Sequence, residues 1–305
     1  MSSNLCCKLC GEPLENGHPY KNHSIKLEDY MYKFYPKTDL LTGEKIVFKR
    51  DVEGYLLTDF CNKNNLKKYL KSLNIDKQKE YLKDILIRRR KLKGLTKALS
   101  QFESRDLMMP AVSYYNKVFN NEYNNLCQSI GLRPIFNYNQ ELEYDNKRKF
   151  EIVIDSRESQ PLKFNRNVLI ETMNVGDYYS KPMYQKFVCE RKNISDWAGT
   201  MSKGCERFCR ELNRAKELGI YVIMIIESSY SDLQSINYLP HTRHIQASNT
   251  FLFKRTRDLF TNFDNFQACA VDGRKTAADL IVKLFKLKND VQSLDIQYLI
   301  DTNSI

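Results

Sequence analysis

Seven consecutive apolar residues, 220–226, form the longest apolar run in this 305-residue chain. Residues 221–226 are β-branched in character, and an unbroken run of this kind marks a strand covered on both faces rather than one with a wet side. Such a strand needs two covering layers, and the flanking sequence supplies helices for them. Further strands are expected at residues 150–154, 168–173, 187–189 and 266–271. Ile194, Trp197, Met201, Cys205, Phe208, Leu212 and Ala215 recur at steps of three or four, the spacing of one long helix. Two more helices are expected at 250–263 and 275–287, and the alternation defines an α/β unit.

Seven apolar residues do not cross a bilayer, which takes about 20. The amino terminus lacks the basic and apolar segments of a signal peptide, so the expectation is a soluble cytoplasmic protein with no membrane partner. Nine cysteines are then read as free thiols or metal ligands rather than as a disulfide framework. The 48 Lys and Arg against 37 Asp and Glu leave a net charge of +11, which favours a polyanion such as DNA over an acidic small substrate. The excess is local. Residues 51–100 hold 13 basic and 6 acidic side chains, whereas residues 151–200 hold 7 of each.

That balanced segment contains the densest chemistry. Asp155 and Glu158 fall at the end of the first expected strand, Asp177 follows Gly176 in a turn, and Glu190 and Lys192 end the third strand. Strand ends in an α/β sheet converge on one edge, so acids distant in sequence can meet there. Residues i and i+2 of a strand share a face, so Glu190 and Lys192 project together while Arg191 points the other way. Clustered carboxylates suit Mg2+ or Mn2+, which polarise a phosphoryl oxygen and activate water, and an adjacent ammonium neutralises transition-state charge. Taken alone, a Glu-x-Lys triplet more often reflects surface ion pairing.

The motifs in order change that balance. Asp155-Ser156-Arg157-Glu158, Gly176-Asp177, Glu190-Arg191-Lys192 followed after three intervening residues by Asp196, residues 223–227 and Val271-Asp272-Gly273-Arg274 resemble the nuclease domain of the XPF family, within the PD-(D/E)xK superfamily. The resemblance covers about residues 149–288 and implies a restriction-endonuclease-like core with a central mixed sheet flanked by helices. It further implies that Asp155, Asp177 and Glu190 hold Mg2+ or Mn2+, that Lys192 is the catalytic lysine, and that Arg157, Glu158, Arg191 and Asp196 support them. Asp196 also fits a helix N-terminus, where an acid favours the dipole. The 17 residues after Lys288 are expected to be a tail, too short for the family's tandem helix-hairpin-helix module.

Two further segments precede this core. Cys7, Cys10, His18 and His23 offer two thiolates and two imidazoles suited to Zn2+, with Cys6 as an alternative to Cys7. The pattern looks like small zinc modules of phage and intron-encoded nucleases, and residues 1–62 are assigned to it. Residues 63–138 are expected to be a basic helical DNA-binding segment, in which Arg88, Arg89, Arg90, Lys91 and Lys93 meet phosphates. Short helices are expected at 111–119 and 123–130, separated by Asn120-Asn121. Residues 95–134 resemble a helical repeat associated with homing endonucleases. The combined expectation is a metal-dependent DNA endonuclease of phage or intron homing type, nicking DNA or, as a homodimer, cutting both strands. A structure-selective repair nuclease and an inert zinc-containing DNA-binding regulator are the alternatives.

Overall fold

The computed structural model describes residues 9–10, 22–24, 37–38, 45–46, 48–50, 56–58, 70–106, 109–235 and 249–305. The chain divides into two units, Met1–Leu92 and Lys93–Ile305. In the first, β1 (Lys37–Thr38) pairs antiparallel with β2 (Lys45–Ile46), and β3 (Phe48–Arg50) with β4 (Leu56–Thr58). Helix α1 (Ile75–Lys93) follows, and its amino end is capped where Asn74 Oδ1 accepts the Lys77 N–H at 2.9 Å. Tyr81, Leu82 and Leu86 are its buried stripe.

The division at residue 92 falls within the expected 63–138 segment, and residues 93–138 belong to the second unit. There, α2 (Gln101–Asp106), α3 (Val112–Val118) and α4 (Tyr123–Ser129) are too short to be stable alone and depend on burial. Asn120 and Asn121, at φ 52° and 64°, make the expected turn between α3 and α4 in the left-handed region that asparagine tolerates. Val112, Tyr115 and Tyr123 are buried, and Asn116 Nδ2 donates to the Tyr298 hydroxyl at 3.3 Å.

A six-stranded mixed sheet is the centre of the second unit. Its strands are β5 (Glu151–Asp155), β6 (Val168–Glu171), β7 (Tyr178–Lys181), β8 (Phe187–Lys192), β9 (Tyr221–Glu227) and β10 (Phe266–Val271), in the order β10-β9-β8-β7-β5-β6. Strands β8, β9 and β10 are parallel, β7 is antiparallel to both β8 and β5, and β5 is parallel to β6. Because β7 runs against its neighbours, its first residue, Tyr178, lies beside Ile154 near the end of β5 and Cys189 on β8, while β9 ends beside β8 with Ile226 opposite Lys192. One sheet edge therefore receives Asp155, Asp177, Glu190 and Glu227.

Strand alternation sorts the two faces. Val153, Val188, Val222, Met224 and Ile226 face a core built with α5 (Ile194–Met201), α6 (Cys205–Glu217), α7 (Tyr230–Ser235) and α8 (Asn249–Asn262). Ile152, Ile154, Cys189, Ile223 and Ile225 face α9 (Gly273–Lys286) and α10 (Ile296–Asp301). Burial of β9 on both faces is thus met by helices on each side, as the apolar run requires.

The expected single helix over 194–215 is two. At the break, the Gly204 N–H turns back to the Gly199 carbonyl at 2.9 Å and the Ser202 hydroxyl to that of Ala198 at 2.7 Å. The apolar spacing runs through the break in register, so periodicity alone does not reveal it. Residues 289–305 are likewise no tail: Val291, Leu294, Ile296 and Leu299 are buried in the α9 core. The Asp295 carboxylate accepts the Gln101 N–H at 2.7 Å, and Asp301 takes two bonds from Arg105 Nη1 at 2.9 Å each.

Candidate active site

Asp177 enters the site through a turn that admits only glycine before it. Gly176 has φ +73°, and a Cβ there would lie 2.7 Å from Val188 Cγ2. The turn is tied to the sheet by the Asp155 N–H donating to the Asp177 carbonyl and the Asp177 N–H to the Cys189 carbonyl, both at 2.9 Å. Asp177 Oδ2 accepts the Arg191 backbone N–H at 2.7 Å. Burial, and next the nearby Glu190, push the Asp177 carboxyl up to about 8.

On β8, Glu190 and Lys192 share a face as their spacing requires, and Lys192 Nζ lies 2.5 Å from Glu190 Oε1. The Glu190 side chain is buried, which raises its pKa, while Lys192 lowers it. For Lys192 itself, burial acts to lower the pKa, but Glu190, Asp177 and Glu211 outweigh it and hold the ammonium above the usual lysine range. Its ammonium is held against the Glu190 carboxylate.

Arg191 points to the other face. Its guanidinium pairs with Glu158 Oε1 at 3.1 Å and with Glu227 Oε2 at 3.0 Å, all three side chains being buried. Glu158 is thus the partner of Arg191 and lies away from the Glu190 face. Arg274, at the start of α9, adds a looser contact to Glu227 at 3.7 Å and donates to the carbonyls of Gln160 and Pro161.

Asp155 lies at the site edge, but its oxygens are already engaged. Oδ1 accepts the Arg157 N–H at 2.7 Å and Nε at 2.9 Å, while Oδ2 accepts Arg157 Nη2 at 2.6 Å and the Met173 N–H at 3.2 Å. The Arg157 side chain lowers the Asp155 pKa against the effect of burial, so the pair stays ionised. With Asp155 as anchor, the Arg157 side chain remains 68% exposed. Asp196 is exposed in the first turn of α5, where its N–H and carboxylate both bond Asn193. Asn193 caps this helix, and Asp196 does not join the Asp177, Glu190 and Lys192 group.

The remaining expected residues fall in the first unit, except Lys93, which begins the second. Cys7 and His18 lie outside the described residues, as does Cys6, whereas Cys10 Sγ and His23 Nε2 are 3.3 Å apart. Of the basic run on α1, Lys91 is exposed and Arg90 half-buried, but Arg89 is 2% exposed. Burial removes Arg89 as a phosphate contact; its place on the inner stripe beside Tyr81, Leu82 and Leu86 was not visible in a run of like charges.

The donor set fits a hard divalent cation. Among the described residues no three His, Cys, Asp or Glu side chains are already gathered as a metal group. Mg2+ does not demand one, since it is commonly bound by one or two carboxylates, with water and substrate phosphate completing its shell. Asp177 and Glu190 are two such oxygen donors, both desolvated, and the Glu190 charge hinders ionisation of Asp177. Sequence reasoning missed Glu211, on α6. Its only sequence signal is a position flanking the Phe208, Leu212 and Ala215 stripe.

Residues 154–284 match the ERCC4 domain, the nuclease domain of the XPF family. Among solved structures, the chain is similar to XPF from Aeropyrum pernix at 22% identity, over 46% of this chain and 68% of that one, with a TM-score of 0.35. The same protein in complex with DNA matches at 20% identity over 45% and 63% of the two chains, with a TM-score of 0.34. No curated protein matches the chain.

Proposed function

We propose that this chain, which carries an ERCC4 domain over residues 154–284, is a divalent-metal-dependent DNA endonuclease. The observation that carries the reading is the cluster of Asp177, Glu190 and Lys192 at one sheet edge, two desolvated acids beside a fixed ammonium. Asp177 and Glu190 would hold the cation, which supplies a Lewis acid for the phosphoryl oxygen and an activated water. Lys192, an ammonium beside Glu190, stabilises negative charge that develops on the phosphate. Arg157, anchored by Asp155 and exposed, offers a guanidinium to a phosphate of the bound strand. Arg191 holds Glu158 and Glu227 beneath the site and keeps β8 in place through its backbone N–H to Asp177.

Cleavage of supercoiled plasmid in Mg2+ or Mn2+ tests the proposal. Wild type should give nicked or linear products that Glu190→Ala and Lys192→Ala lose. Retention of wild-type cleavage by either variant would overturn it, and DNA binding without cleavage would favour the regulator reading. A homing role and a structure-selective role both remain inside the proposal. A linear duplex library compared with branched oligonucleotides separates them, as a homing enzyme selects one long sequence regardless of branching. The buried aromatics of α3 and α4 serve the core, so the homing repeat does not carry the proposal. For the amino-terminal Zn2+ set, support comes from the Cys10 and His23 contact.

A further inference from the structure

Helix α6, the second after β8, contributes to the site a carboxylate that the motif spacing does not reveal. Glu211 lies on α6, on the same sheet face as Glu190 and Lys192, since Phe208, Leu212 and Ala215 of that helix pack with Val188 and Met224. Its Oε1 accepts the Gly176 N–H at 3.3 Å, which ties α6 to the turn that carries Asp177. It is also in electrostatic reach of Glu190, Lys192 and Arg157. Asp155, the acid expected to complete the metal-holding set, has both oxygens committed to Arg157 and the Met173 N–H.

We propose that Glu211 is a charged positioning residue of the cation site, acting through the Gly176–Asp177 turn, whose negative charge helps set the affinity for the divalent ion. The proposal rests on the nuclease reading. Two effects follow from one carboxylate. Its oxygen fixes the backbone that aims Asp177, and its charge lowers the potential where the cation would lie, without a direct bond to the ion. Groups placed behind metal ligands in this way commonly change affinity by about 10- to 100-fold.

Glutamine separates charge from geometry. The amide oxygen of Glu211→Gln can still accept the Gly176 N–H, while the charge is lost. Mn2+ binding to the full chain, followed by the electron paramagnetic resonance of the free ion, should be weakened at least about tenfold in Glu211→Gln. Its metal-free unfolding midpoint should stay at the wild-type value. Glu211→Ala should weaken binding further because the turn is also released. Wild-type Mn2+ affinity in Glu211→Gln would overturn the proposal, even if Glu211→Ala binds poorly, since the charge would then be irrelevant. A lowered midpoint that accounts for the weakened binding would also overturn it, by showing a fold defect. Absence of Mn2+ binding by wild type would overturn the nuclease reading as well, whereas wild-type binding abolished by Glu190→Ala with Glu211→Gln unchanged would overturn only the role of Glu211.

Discussion

Two glycine-to-alanine substitutions separate backbone strain from crowding in the turn that aims Asp177. Gly176 has φ +73°, and a Cβ added there meets Val188 Cγ2 at 2.7 Å and Val188 Cβ at 2.9 Å. Gly219, just beyond the end of α6, has φ +66° and nothing within 4 Å of an added Cβ. Both alanines incur the left-handed backbone penalty of about 1–2 kcal/mol. Only Gly176→Ala also pushes into Val188, a β-branched residue that is 2% exposed and cannot swing away. Overpacking of this kind adds about 1–3 kcal/mol, so the expected totals are about 2–5 kcal/mol at position 176 and about 1–2 kcal/mol at 219. Trp197, the chain's single tryptophan, is buried in the core of the second unit, so its fluorescence during denaturant unfolding reports on that unit. Adding Val188→Ala to Gly176→Ala should recover part of the crowding cost and none of the backbone cost. Equal destabilisation by the two single alanines would show that Val188 does not crowd position 176.

Arg191→Ala should destabilise the second unit by about 3–5 kcal/mol, because it leaves the buried carboxylates of Glu158 and Glu227 without their shared partner; a loss under about 1 kcal/mol in the Trp197 assay would contradict that burial. Deleting residues 289–305 removes Val291, Leu294, Ile296 and Leu299 from the core, roughly 6–12 kcal/mol at about 1.5–3 kcal/mol each. This approaches the whole stability of a domain, so the shortened chain should show no cooperative transition; a wild-type midpoint would mean the segment is dispensable. Burial pushes the Glu103 carboxyl up to about 7 against the Ser100 hydrogen bonds and the Arg257 charge. A raised acid favours the folded state while protonated, so its contribution is fully present below about pH 4.5 and is lost as pH rises through about 7. Unfolding midpoints should accordingly fall between about pH 5 and 7, and Glu103→Gln should flatten that slope; an unchanged slope would assign the effect to other groups.

Much of the site was legible because its determinants are local. The Glu190 and Lys192 pairing follows from the two-residue repeat of a strand, and the same repeat sends Arg191 to the opposite face. Gly176 announced a tight turn before Asp177, though the Val188 contact that makes glycine obligatory is non-local. Asp155 shows the opposite case. Its residue type and strand-end position suit a metal ligand, but the guanidinium two residues later and the Met173 N–H take its lone pairs, and only the folded loop shows that competition. Asp196 bonds Asn193, the residue that caps α5, and sits in the first turn, where the helix-dipole alternative had it.

The apolar run at 221–226, the alternating segments around it and the order of the acidic motifs were sufficient for the α/β class and for the residues at the sheet edge. These rest on periodicity and backbone chemistry, which each short segment carries within itself. Strand β7, the break between α5 and α6, the packing of residues 289–305 and the approach of Glu211 to Gly176 depended on contacts between distant segments. Those contacts are chosen by the fit of whole faces against one another: a half-polar strand such as Tyr178–Lys181 becomes a strand because β5 and β8 satisfy its backbone, and a carboxylate on α6 joins the site because Phe208 and Leu212 seat that helix on the sheet.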